Sequence, residues 1–206
     1  KDNEYMKKIY MLIISCLPLM AMAQNTWEMK DATGKTKPNP DQKYLAGAVP
    51  VADGKVIFEK TIDAKGKTAA QIYDIALKFM TELTKEDNQF EQSRITYKDS
   101  VTHEIGGFYQ EWLVFKSTAL VLDRTRLMYN LFVKCEDGKA DIKMTRIYYL
   151  YDEEREPQTL RAEEWITDEY GLKKSKEKLS RVTGRFRRKT IDRKDYLFDR
   201  FEALLK

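Results

Sequence analysis

Leu127-Met128-Tyr129-Asn130-Leu131-Phe132-Val133-Lys134-Cys135, followed by Glu136-Asp137-Gly138-Lys139 and the run from Ala140 to Tyr151, decides the fold. Leu127, Tyr129, Leu131, Val133 and Cys135 recur at every second position, and in an extended chain such positions line one face. The alternation predicts a half-buried strand with the Cys135 thiol turned toward the core. Asp137-Gly138 tolerates the positive φ of a tight connection, so it predicts a hairpin into Ala140 to Tyr151. Upstream, Arg94 to Lys98 and Phe108 to Phe115 have the same β-branched and aromatic character, and no Pro interrupts residues 95 to 151. The prediction is a meander of antiparallel strands.

Outward from this block the period changes. Ala52-Asp53-Gly54-Lys55 reads as a turn into Val56 to Ile62, where Val56, Phe58 and Ile62 share a face. After Lys65-Gly66-Lys67, Ile72, Ile75, Ala76, Phe79, Met80 and Leu83 fall at helical spacing behind Thr68 and Gln71, which stand at capping-box distance. Asp152 to Gln158, with Pro157, reads as a charged loop. Asp192 is predicted to cap a C-terminal helix carrying Tyr196, Leu197, Phe201, Leu204 and Leu205. Arg185 to Asp192, just before it, reads as a terminal strand or turn. This order gives an α+β layer, with helices packed on one face of a curved antiparallel sheet.

The N-terminal end reads as a targeting segment. Lys7 and Lys8 follow Met6, Ile9 to Met22 is apolar, and Ala21-Met22-Ala23 precedes Gln24 in the small-x-small form of a cleavage site. Residues 1–23 are therefore expected to be a signal peptide, with export to the periplasm or cell envelope. Two other readings stay open: Ile13-Ile14-Ser15-Cys16 as a lipoprotein processing site, with membrane association through a lipid on Cys16, and an uncleaved anchor. The residues after Cys16 stay apolar, which favours cleavage at Ala23. Residues 24–42, with Gly34, Pro38 and Pro40, read as an extended or disordered lead-in, and residues 43–206 as a single domain. Past residue 23 the only thiol is Cys135, so an intrachain disulfide is excluded and the core must hold the fold.

Charge is segregated rather than high. The 206 residues carry a net +4, yet Lys173 to Lys194 holds eleven Lys or Arg against Glu177 and Asp192. Such a run fits an anionic partner or an internal contact with acids.

Three stretches carry a family resemblance: Tyr44-Leu45-Ala46-Gly47-Ala48-Val49-Pro50 with Gly54-Lys55-Val56-Ile57-Phe58-Glu59-Lys60-Thr61; Ala162-Glu163-Glu164-Trp165-Ile166-Thr167-Asp168; and Arg185-Phe186-Arg187-Arg188-Lys189-Thr190-Ile191-Asp192. They resemble an exported bacterial domain-of-unknown-function family with a TATA-binding-protein-like (TBP-like) fold, common in gut Bacteroidetes. The resemblance spans most of residues 43–206 and implies neither catalytic residues nor a cofactor. Gly171 stands where the family pattern has Ala, and Arg193 where it has an aromatic residue.

Candidate chemistry is sparse. His103 is the single histidine, which excludes multi-histidine metal sites, and a Cys135–His103 dyad would need a buried nucleophile. Gly106-Gly107 lacks the spacing of a phosphate loop. Glu163, Glu164, Asp168, Glu169 and Glu111 are the acids available to a glycan-active hydrolase, whose chemistry needs two carboxyls flanking a bond. The candidate binding residues are Arg185, Arg187, Arg188 and Lys189, with Phe186 as a stacking surface. The expected function is that of a non-enzymatic binding or envelope-associated domain without cofactor or metal. Its expected partner is an envelope protein, a glycan or another polyanion, and export disfavours nucleic acid. A carboxylate-dependent hydrolase and a polyanion-binding module are the alternatives.

Overall fold

The computed structural model describes residues 41–118 and 120–206. The signal segment, Cys16 and the lead-in up to residue 40 lie outside the described residues. A one-turn 3-10 helix, Asp41–Tyr44, opens the described fold, so the last two residues of the expected lead-in belong to the domain.

Strand β1 (Val51–Ala52) turns into β2 (Lys55–Asp63) through Asp53 and Gly54, whose φ values of 50° and 70° suit a two-residue hairpin. Helix α1 (Ala69–Leu83) follows, and both capping-box bonds are made: Gln71 N donates to Thr68 Oγ1, and Thr68 N donates to Gln71 Oε1. Then come β3 (Arg94–Asp99), β4 (Glu104–Ser117), β5 (Leu122–Glu136), β6 (Lys139–Tyr151) and β7 (Gln158–Arg161). A 3-10 turn, Ala162–Glu164, and a long loop lead to α2 (Thr183–Leu205). The strands form one antiparallel sheet in the order β1-β2-β6-β5-β4-β3, and β7 pairs with β6 beyond the end of β2.

Alternation on β5 places Leu127, Tyr129, Leu131, Val133 and Cys135 in the core, as the period of two requires. On β6 the buried set is Ala140, Ile142 and Met144, then Ile147 and Tyr149, so the parity slips once. The slip is a β-bulge: Thr145 and Tyr148 oppose Asn130 and Met128, leaving two residues against one, with Arg146 at φ 52°. The extra residue returns the apolar side chains to the core face. Both helices cover that face. Gly107 belongs to the same packing, because a Cβ there would lie 2.6 Å from the Tyr109 ring, whose hydroxyl donates to Met80 O on α1.

Two expectations need correction. β7 lies where the charged loop was expected to end. More consequentially, α2 begins at Thr183 and takes in Arg185 to Asp192, so the supposed terminal strand or turn is helical. Asp192 therefore sits inside the helix, and Leu204 is 47% exposed rather than packed.

Candidate functional site

A helical Arg185 to Lys189 cannot present its side chains as a strand would. At about 100° per residue, positions 185, 188 and 189 share one side, while 186 and 187 turn to the other. Phe186 and Arg187 are accordingly buried in full, and Arg185, Arg188 and Lys189 are half-buried.

Phe186 sits in an aromatic nest with Phe115, Tyr149, Tyr151 and Trp165, at ring-centroid distances of 4.5 to 5.7 Å. Burying such a ring stabilises the fold by about 1.5–3 kcal/mol. Arg187 spends its guanidinium inside the protein. Nε donates to Tyr44 O at 2.6 Å, Nη1 to Ile166 O at 2.7 Å, and Nη2 to Leu45 O and Asp168 Oδ1, both at 2.7 Å. Asp168 Oδ2 also accepts from Gly47 N at 2.8 Å. Burial pulls the Arg187 pKa below its usual value, and the bond and field of Asp168 work against that loss. Gly171 closes the back of this site: a Cβ there would lie 2.8 Å from both Arg187 Cδ and Ile166 O. Within this packing the Ala of the family pattern does not fit.

The neighbouring residues complete a clasp. Tyr44 Oη donates to Asp192 Oδ1 at 2.7 Å, and Lys43 Nζ bridges Asp192 and Asp195. Arg188 pairs with Asp41 and lies over the Tyr44 ring, while Val56 N donates to Glu163 Oε1. Arg185 pairs with Asp123 and donates to Tyr151 Oη. The three stretches behind the family resemblance thus converge on one another. As placed, Phe186 and Arg187 offer no surface to a ligand, and Arg185 and Arg188 already hold acids.

Arg193 takes part in a second internal network. Its Nε and Nη2 reach the Glu111 carboxylate at 2.9 and 2.8 Å, and both side chains are fully buried. Glu86 bridges Arg193 and Arg200, while Asn88 and Gln89 donate to Glu111 Oε2. Burial pulls the Arg193 pKa down, and the fields of Glu111, Tyr129 and Glu86 more than reverse this.

The remaining acids border one shallow cleft of about 810 Å³, lined by Glu163, Glu164, Asp168 and Glu169 with Lys173 and Lys174. Three of the four have partners: Glu163 with Val56 N, Asp168 with Arg187 and Gly47, and Glu164 with Arg161 at 4.0 Å. Cys135 is buried, and burial pushes its thiol up to about 12, which suppresses thiolate chemistry. His103 packs edge-on against Tyr73 at 5.9 Å.

The residue pattern had drawn no attention to the sheet face that, among the described residues, α1 and α2 leave bare. There Tyr97, Phe132, Glu59, Thr61, Glu104, Lys134, Asp141 and Lys143 surround a concavity of about 800 Å³. Phe132 packs against Gly106, where a Cβ would come within 2.9 Å of its ring, and Tyr97 is 46% exposed. The rim is paired: Lys143 with Glu59 at 3.4 Å, Lys134 with Glu104 at 3.9 Å, and Thr61 Oγ1 donating to Asp141 Oδ1 at 2.5 Å. These are the complementary positions of the alternation that buries Val133 and Ile142, and that was the signal available in the sequence.

Comparison with known proteins agrees with this architecture. The family described as "Domain of unknown function (DUF4468) with TBP-like fold" matches residues 58–150. A solved structure of a TBP-like protein from Parabacteroides distasonis shares 16% identity, covering 76% of this chain and 96% of that one at a TM-score of 0.61, and so speaks for the fold alone. No curated protein matches the chain. A DUF4468 family protein from Bacteroides ovatus, also solved, is 42% identical, covering 80% of this chain and 94% of that one at a TM-score of 0.75. The chain belongs to the DUF4468 family and has its TBP-like α+β fold.

Proposed function

We propose that the chain is an exported, non-enzymatic binding domain of the cell envelope, and that it binds through the bare face of its sheet. The observation that carries this reading is the concavity around Phe132 and Tyr97. An aromatic floor offers stacking area, and paired carboxylates and ammonium groups on the rim offer both hydrogen-bond donors and acceptors. Binding sites combine apolar surface and a few convergent polar groups in this way. The apolar leader supports export. The commitment of Glu163, Asp168 and Glu111 to internal bonds supports a non-enzymatic role.

The test is affinity capture from the native envelope fraction, with the protein from residue 24 onward as bait, beside Tyr97→Ala and Phe132→Ala. Wild type should retain a ligand that both variants lose while their melting temperatures stay close to wild type. Equal retention by all three would remove the sheet face from consideration. Hydrolysis of an envelope or dietary glycan that Glu164→Gln or Glu169→Gln abolishes would instead establish the cleft as an active site.

A further inference from the structure

We propose that the loop between Leu172 and Leu179, together with Leu120, Val121 and Leu122 of the β4–β5 connection, forms a docking surface for an anionic lipid bilayer. The basic segment divides in two. Arg185, Arg187, Arg188, Arg193 and Lys194 each pair with an acid of the described fold. Lys173, Lys174, Lys176, Lys178 and Arg181 are exposed and make no ion pair among the described residues. Their loop is built rather than loose: Leu172 and Leu179 bridge as antiparallel partners, and Lys173 N donates to Lys178 O at 2.9 Å. Glu177 is its only acid.

The second half of the surface is apolar. Leu120, Val121 and Leu122 are 95%, 45% and 47% exposed at a tip closed by Thr118 N donating to Val121 O at 2.8 Å. This hairpin runs past the body of the sheet, because the last β6 partner on β5 is Thr125, opposite Tyr151. Loop and hairpin are braced to the same end of α2. Arg185 in its first turn holds Asp123, while Gly184 packs on Leu179 and donates its N–H to Ser180 O. Val182, 52% exposed, lies between Leu179 and Gly184 in the chain.

Two weak signals combine in this arrangement. An exposed apolar tip enters the boundary between headgroups and acyl chains, and lysines lay their stems along it while their ammonium groups meet lipid phosphates. A soluble polyanion would satisfy the lysines but leave Leu120 to Leu122 in water, so the apolar tip favours a lipid surface. Such contact needs no lipid on Cys16.

The test is vesicle sedimentation of the chain from residue 24 onward, which carries the whole described fold without the apolar leader. Phosphatidylcholine vesicles are compared with phosphatidylcholine doped with phosphatidylglycerol, at low and high salt, with retention on heparin in parallel. Binding to the doped vesicles should fall with salt. It should drop by roughly a thousandfold in the combined Lys173→Gln, Lys174→Gln, Lys176→Gln and Lys178→Gln variant. Leu120→Ser with Leu122→Ser should weaken it by about tenfold while heparin retention is unchanged. Tyr97→Ala should leave it untouched, which separates this surface from the sheet face. Absence of vesicle binding, equal binding to undoped vesicles, or loss of heparin retention alone in the lysine variant would each overturn the proposal, the last in favour of a soluble polyanion.

Discussion

Arg193 and Glu111 form a fully buried ion pair whose two halves should be strongly coupled. Arg193→Met leaves the Glu111 carboxylate in the core with only neutral donors, among them the Asn88 and Gln89 amides. Stranding one member of a buried pair costs about 3–5 kcal/mol. Glu111→Leu should cost somewhat less, about 3 kcal/mol, because Glu86 still faces Arg193 Nη2 at 3.1 Å. The double variant removes both charges. What it retains as a penalty is mainly the loss of this acceptor for the Asn88 amide, about 1–3 kcal/mol. The double variant should therefore be far more stable than the two single effects added together, with a coupling of several kcal/mol. Urea unfolding followed by circular dichroism gives the four stabilities, provided the m-values stay alike. Should Arg193→Met fail to fold, recovery of folding in the double variant reports the same coupling. Additive losses, within about 0.5 kcal/mol, would refute the pair as an energetic unit.

Two further outcomes follow from the titrating groups. The Cys135 thiol, held up to about 12 by burial, should react with a disulfide reagent at mildly alkaline pH only as fast as the protein opens, and quickly once urea unfolds it. Rapid labelling of the folded protein would contradict the core placement. At Asp195, burial raises the pKa, but hydrogen bonds from Lys194 and Lys43 outweigh it and hold the carboxyl below its ordinary 3.8. A depressed carboxyl stabilises the fold above its unfolded value and loses that contribution as pH falls through the folded one. Asp195→Asn should thus lower the melting temperature near neutrality, and the gap to wild type should shrink as pH falls from about 6 to about 2. A gap independent of pH would show that the bridge contributes nothing.

Much of the fold was legible because local chemistry and global packing agree there. The period of two in Leu127 to Cys135 and the Thr68 to Gln71 capping box mean the same in isolation as in the fold. The first half of α2 was hidden for two physical reasons. Val182 stands at the N-cap and makes no side-chain capping bond, so no start signal marks the helix. Its inward face also includes Arg187 and Arg193, which a pattern of apolar residues counts as surface. With both arginines counted as buried, Phe186, Arg187, Thr190, Ile191, Arg193, Leu197, Phe198, Phe201 and Leu205 make an ordinary helical stripe. The groups that accept from those arginines come from residues 44–45, 86, 111, 166 and 168, distances in sequence that no local reading spans. The basic segment was therefore left open between a surface for an anionic partner and an internal contact with acids, whereas the fold divides it into a clasp and an exposed loop.

That division is tested most directly by side-chain hydrogen exchange at Arg187, followed by nitrogen-15 NMR and compared with Arg181. If the Arg187 Nε–H is locked onto Tyr44 O at the centre of the clasp, it should exchange only through global opening, at least about a thousandfold more slowly than Arg181. Equal rates at the two arginines would place Arg187 at the surface and return the whole run to the role of a binding face.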